Sequence, residues 1–193
     1  MTRCFITQPI HADALAFLAA NGVTPHCASR PDMDAIIAEV GDAQAVITRD
    51  LGFSAQALAH APALRLVAYH GAGVNKVAIA EAAARGIVVT RTPEMNSRSV
   101  AEMAVGLMLG PVRKRPAARD YLNQLTGKMY PSYLVSHSLG SRTVGLVGYG
   151  NIAKVTEQMV AGFGAKILVT ARHPHTPKYG QFVGLATLLA ESD

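Results

Sequence analysis

Tryptophan is absent from the 193 residues, aromatic side chains make up 6%, and there are only two cysteines. A core must therefore be assembled from Ala, Val, Leu and Ile. Cys4 and Cys27 are too few for a disulfide framework, and both read as small buried hydrophobes. No unbroken apolar run of about 18 residues occurs, which excludes a transmembrane helix. The opening MTRCFITQPIHADALAF has neither a basic start nor a continuous apolar stretch, which speaks against a signal peptide and makes the cytoplasm the expected compartment. No sequence period of about 20–50 residues suggests a solenoid. Charged residues are 16% of the chain, but half of it is hydrophobic, so disorder is excluded for most of it.

Acidic residues are scarce in one region in particular. Positions 111–178 hold ten Lys/Arg against two acids, Asp120 and Glu157, so the net charge of +5 is concentrated in the second half. Such a bias suits an anionic ligand once a motif gives it meaning. The run Arg113-Lys114-Arg115 with Arg119 lacks the interleaved aromatics and the recognisable fold that nucleic-acid binding would need, and reads as solvated or subunit-facing surface.

The first ninety-odd residues alternate short β-branched runs with Ala-rich stretches. Candidate strands are 3–7, 23–28, 45–49, 64–69 and 87–92, with candidate helices 12–20, 32–39, 55–60 and 76–84 between them. Five strands joined by four helices predict a parallel sheet covered on both faces. The successive apolar residues Ala45-Val46-Ile47 and Leu66-Val67-Ala68 fit two-sided burial. Ser99-Val100-Ala101-Glu102 reads as a capping box that starts a helix. Gly110-Pro111 should kink or stop that helix, because proline lacks the N–H and clashes with the preceding turn. A basic, irregular stretch is expected over 113–142. The domain boundary is placed near 93–99, giving domains 1–95 and 96–193.

A second αβ unit begins at Thr143, with strands 143–147 and 166–170, a helix at 152–162 and a last short helix at 185–189. Between the first strand and its helix stands Gly148-Tyr149-Gly150-Asn151-Ile152-Ala153. A bare G-x-G-x-x-G/A match is weak, but this one has the required strand–turn–helix setting. Gly148 permits the tight turn, Gly150 lets a diphosphate approach the backbone, and Ala153 lets the helix pack on the strand. The helix start at Asn151 and Ile152 would receive phosphate. An NAD-preferring turn puts Asp or Glu at the end of the next strand, to accept from the ribose 2′-hydroxyl. Here that strand ends Val169-Thr170-Ala171-Arg172, and no acid occurs between Glu157 and Glu191. A guanidinium pairs with a 2′-phosphate that a carboxylate would repel, so NADP is expected over NAD. His173 and His175 lack a nearby third ligand, and no metal is expected.

Several segments together resemble the D-isomer-specific 2-hydroxyacid dehydrogenase family, including its phosphoglycerate dehydrogenase and hydroxypyruvate–glyoxylate reductase branches. They are Gly71-Ala72-Gly73-Val74-Asn75, then Ala82-Ala83-Ala84-Arg85-Gly86-Ile87-Val88-Val89, then Thr92-Pro93 with Asn96 and Ser99-Val100-Ala101-Glu102. Leu139-Gly140-Ser141-Arg142-Thr143-Val144-Gly145-Leu146-Val147 leading into the glycine turn is similar too. The likeness runs from about Ala45 to the last residue. It implies an α/β protein in which a flavodoxin-like parallel-sheet substrate domain is followed by a Rossmann dinucleotide-binding domain, incomplete in this chain. It implies that Ala72, Gly73 and Val74, with Asn96, bind a small 2-hydroxy or 2-keto acid. Val100, Gly148, Gly150, Asn151 and Ile152 would lie on the cofactor, with Arg172 at its ribose. It implies hydride transfer between a nicotinamide and the carbon bearing the hydroxyl or keto group, in a homodimer formed through the Rossmann domain, with no nucleic acid or membrane as partner.

The chain departs from the family pattern at several points. Asn75 and Ala78 replace usual acids. Asp50 and Leu51 stand where phosphoglycerate-specific members carry basic or hydroxyl residues, which argues against a phosphorylated substrate. Pro111 interrupts a normally continuous helix. The family's catalytic Arg, Glu and His fall downstream of the point matching Asp193, so no catalytic residue is assigned and the chain is expected to be a truncated, inactive N-terminal part. His70, at the substrate-loop mouth, reads as a structural strand-end residue. The sheet physics agrees: a doubly wound dinucleotide domain uses six strands, and only two are predicted after the linker helix. The competing expectation is a non-catalytic dinucleotide-binding and dimerisation module. A receiver-like reading of the first domain lacks the acidic cluster it would need.

Overall fold

The computed structural model describes residues 2–123 and 132–193. The chain divides into two compact units, Met1–Met95 and Asn96–Asp193.

In the first unit, strands β1 (Thr2–Ile6), β2 (Val23–Cys27), β3 (Ala45–Thr48), β4 (Leu66–Tyr69) and β5 (Val88–Arg91) form one sheet in the order β2-β1-β3-β4-β5. Every pairing is parallel, with Ile6 opposite Ile47 and Val67 opposite Val46 and Val89. This is the flavodoxin-like order, with its switch point between β1 and β3. The connecting helices are α1 (Ala12–Ala20), α2 (Met33–Glu39), α3 (Ala55–Ala59) and α4 (Ile79–Ala84). Phe5, Val46 and Val67 meet Ile36, Phe53 and Leu58 in the core. Side chains cap three of the helix starts: His11 Nδ1 accepts from Asp13 N–H (3.3 Å), Asp32 from Ala35 N–H (2.8 Å) and Ser54 from Ala57 N–H (3.1 Å).

Two expectations need correction here. Cys4 is buried but Cys27 is exposed, at the end of β2, an edge strand of the sheet among the described residues. Helix α4 starts at Ile79 rather than at Lys76. Lys76 and Ala78 are committed to a bridge with Phe53: Phe53 N–H donates to Lys76 O (2.9 Å) and Ala78 N–H to Phe53 O (3.0 Å).

The second unit opens with α5 (Ser97–Val112) and α6 (Arg115–Asn123), followed by single 3-10 turns at Ser132–Leu134 and Leu139–Ser141. Strands β6 (Thr143–Val147), β7 (Lys166–Thr170) and β8 (Gln181–Phe182) form a parallel sheet in the order β6-β7-β8. Helix α7 (Asn151–Ala161) crosses from β6 to β7, and α8 (Leu185–Glu191) packs on both strands. Val105, Leu139, Val144, Leu146, Val160, Ile167 and Val169 build the core.

The capping box does not form. Helix α5 begins two residues before Ser99, with Asn96 at its N-cap, and Glu102 pairs instead with Arg98 one turn back (3.0 Å). An i,i+4 pair on an exposed face competes directly with the reach-back to a cap. Pro111 is the penultimate residue of α5, and the chain then turns through Lys114 at φ 47°. The stretch from Arg113 is therefore not irregular throughout, since α6 occupies Arg115–Asn123. Positions 124–131 of that stretch lie outside the described residues. Among the described residues, three strands rather than two follow the linker helix. β8 is two residues long, too short to leave an alternating pattern in the sequence.

Candidate functional site

β6 runs into Gly148, whose φ of 93° is a left-handed value that costs glycine nothing. Its N–H donates to Thr170 O (2.7 Å), which ties the turn to the end of β7. Gly150 follows in extended conformation as the N-cap of α7, and no side chain caps that helix. A Cβ built on Gly148 or on Gly150 would meet nothing within 4 Å. Among the described residues no side chain therefore plugs the turn, and its geometry fits a diphosphate at an open helix start. Ile152, in the first turn of α7, is 41% exposed, and Asn151 is exposed as well.

Beside the turn lies a cleft of about 410 Å³ lined by Val147, Gly148, Thr170, Ala171, Arg172 and Leu185. The structure thus brings Gly148 and Arg172, 24 positions apart in the sequence, to one opening. Arg172 is exposed and forms no ion pair among the described residues. His173 and His175 are exposed too, and no group of three possible metal ligands occurs among the described residues. Asn96 and Val100 sit at the exposed start of α5 in the same unit.

The sequence reading missed what lies behind the turn. The Tyr149 side chain is buried away from the cleft, and its hydroxyl donates to Glu157 Oε2 (2.5 Å). Glu157 Oε1 accepts from the N–H groups of Tyr179 (2.7 Å) and Gly180 (2.8 Å). Burial pushes the Glu157 carboxyl up, but the Tyr149 hydroxyl and these N–H groups outweigh it and hold it below the ordinary glutamate range. Burial, then the Glu157 carboxylate, raise the Tyr149 phenol. The signal available beforehand was that Glu157 is one of only two acids in positions 111–178.

In the first unit, Ala72, Gly73 and Val74 follow β4 in a loop where the first two are exposed and Val74 is half-buried. Their N–H groups donate to no described residue, while Thr92 N–H holds Gly71 O (2.9 Å) and Val77 N–H holds Val74 O (3.0 Å). Arg91, also unforeseen, places its guanidinium on Ala72 O (3.0 Å). Positive charge and amides without a described acceptor thus share this loop, an arrangement suited to a carboxylate. His70 is exposed and forms no ion pair with a carboxylate among the described residues.

Comparison with known proteins gives these features a context. A family model described as D-isomer specific 2-hydroxyacid dehydrogenase, catalytic domain, matches residues 4–186. D-3-phosphoglycerate dehydrogenase of Mycobacterium tuberculosis strain H37Rv is 34% identical over 168 residues, covering 84% of this chain and 31% of that protein. Glyoxylate reductase of Korarchaeum cryptofilum is 31% identical over 170 residues, covering 84% of this chain and 51% of its own length. The crystal structure of D-lactate dehydrogenase from Aquifex aeolicus, complexed with NAD and lactic acid, superposes on all of this chain with a TM-score of 0.84. The match covers 59% of that chain at 22% identity, which speaks to fold alone. This chain thus spans between about a third and six-tenths of the length of these relatives. With the family model matching nearly its whole length, the chain belongs to the D-isomer specific 2-hydroxyacid dehydrogenase family.

Proposed function

We propose that this chain is the substrate domain and the first part of the cofactor domain of an NAD(P)-dependent oxidoreductase. It acts on the CH–OH group of small 2-hydroxy acids, in the direction of 2-keto acid reduction. One observation carries this reading: an unplugged glycine turn opens an uncapped helix beside a cleft that ends at Arg172. Gly148 and Gly150 would let the diphosphate approach, Asn151 and Ile152 would meet it at the start of α7, and Val100 would add apolar surface. The dinucleotide, when bound, supplies the hydride. The chain's own residues bind and orient. The N–H groups of Ala72, Gly73 and Val74, which donate to no described residue, take the substrate carboxylate.

Arg172 favours NADP over NAD, because it stands where a carboxylate would otherwise accept from the 2′-hydroxyl. The glyoxylate reductase relative supports a small unphosphorylated acid, and Asp50 and Leu51 count against the phosphorylated substrate named for the mycobacterial one. No described residue is assigned the proton transfer, and His70 has no carboxylate to orient it. The 193 residues by themselves are thus read as binding without turnover, where this reading meets the alternative of a non-catalytic dinucleotide-binding and dimerisation module. The same reading makes the protein a cytoplasmic homodimer. In its support, among the described residues no helix is long and apolar enough to cross a membrane, and α5 leaves an apolar stripe uncovered.

Titration calorimetry with both nucleotides tests it. NADPH is expected to bind at least as tightly as NADH. Arg172→Ala is expected to weaken NADPH about tenfold while leaving NADH within about twofold. A clear NADH preference would sink the role given to Arg172, and binding of neither nucleotide would sink the site.

A further inference from the structure

Glu157 is 1% exposed, and nothing in the dinucleotide reading uses it. A buried carboxylate is costly unless it is fully hydrogen-bonded, so its placement calls for a physical reason. Its closest hydrogen-bond partners come from two places, with the Lys178 backbone N–H also acting on it. One is Tyr149, the middle residue of the glycine turn; the others are the N–H groups of Tyr179 and Gly180, at the far end of the segment that leaves β7 and returns as β8. That segment, residues 171–180, carries Arg172, His173, His175 and Lys178. Residues 171–178 make no backbone–backbone hydrogen bond among the described residues. Its position therefore depends on its anchors. Besides Glu157 there is the Tyr149 ring, against which the His175 ring lies at 5.4 Å and 56°. Lys154 Nζ lies 5.8 Å from the centre of the same ring. One carboxylate thus fixes the phenol that seats His175 and also pins the far end of the basic loop.

We propose that Glu157 is a positioning residue for nucleotide specificity: it joins the glycine turn to the 171–180 loop so that Arg172 and His175 meet a ribose 2′-phosphate while the turn holds the diphosphate. The proposal rests on the dinucleotide reading above. A purely structural role would weaken both nucleotides alike, whereas a positioning role weakens the phosphorylated one selectively.

The experiment uses the 193-residue chain and two readouts: amide exchange at Tyr179 and Gly180 without nucleotide, and calorimetry with NADPH and NADH. Glu157→Ala is expected to deprotect the two amides, to lower NADPH affinity about tenfold and to lower NADH affinity less than about threefold. Glu157→Gln keeps an oxygen for both N–H groups and is expected to retain protection and the NADPH-to-NADH ratio within about twofold. Equal loss for both nucleotides, an unchanged ratio despite deprotected amides, or amides still protected in the alanine variant would each overturn the proposal. Should Glu157→Ala fail to fold, Tyr149→Phe removes only the hydroxyl. A roughly threefold fall in the ratio then supports the proposal, and an unchanged ratio overturns it. If the unmodified chain binds neither nucleotide, the dinucleotide reading fails first and this proposal with it, a failure visible before any variant is made.

Discussion

Glu157 holds its charge where water cannot reach it, and the sign of its pH effect follows from its partners. Its folded-state pKa is depressed below the ordinary 4.5, because the hydrogen bonds it accepts outweigh the burial that opposes them. The unfolded chain therefore binds this proton more readily than the native one. The stabilisation is fully present above about pH 4.5 and is lost as pH falls through the lower folded value. Urea unfolding of the second unit, followed from pH 7 down to about pH 3, is expected to show a loss of stability that Glu157→Gln narrows. An equal loss in both proteins would show that other carboxylates govern the acid limb. At this scale the glycines of the turn were legible, because their chemistry is local. Tyr149 was not, because its burial depends on a residue eight positions further along the chain.

Among the elements, α5 was found in the sequence but not correctly begun. Ser99 and Glu102 match a capping box, yet helical hydrogen bonding starts at Ser97 and Glu102 turns to Arg98. The same helix carries its core contacts on Ala101 and Val105, both buried. Its opposite stripe, Val100, Met103 and Leu107, is exposed by 39%, 64% and 67%. Positions 100, 103 and 107 have the spacing of a single helical face. The proposed homodimer would form through this face. Met103→Glu with Leu107→Glu is expected to turn a dimer into a monomer in sedimentation at about 50 μM, leaving the α-helical circular dichroism unchanged. A variant that still sediments as a dimer would move the interface elsewhere. Strand β8 was missed for a different reason. Two residues carry no periodicity, and the strand exists only because β7 offers an edge for Gln181 and Phe182 to pair with.

Across the whole molecule, each unit has its own sheet and its own core, so each should respond separately to damage. Gly52 provides the test. Its φ is +74°, and a Cβ there would stand 2.1 Å from Lys76 O. Gly52→Ala must push the Lys76 backbone aside and break the bridge that holds Phe53 and Val77. A cost of about 3 kcal/mol is expected, from backbone strain added to a steric clash. Because tryptophan is absent, residue-resolved amide exchange in increasing urea is the suitable measurement. Residues 2–95 are expected to unfold at lower urea in this variant, with 132–193 unchanged. A common shift of both units would show that they unfold as one.

The sequence by itself determined the alternation of strands and helices, the parallel sheets, the glycine turn and the family, since each is written in periodicity or in residues close together along the chain. Only the tertiary structure decided that Arg172 opens onto the same cleft as Gly148, that Arg91 charges the loop at Ala72, and that Glu157 joins the turn to the basic loop. These contacts bring together side chains from different strands, helices and loops. Their energies depend on burial and on hydrogen-bond geometry, and neither exists until the chain has folded.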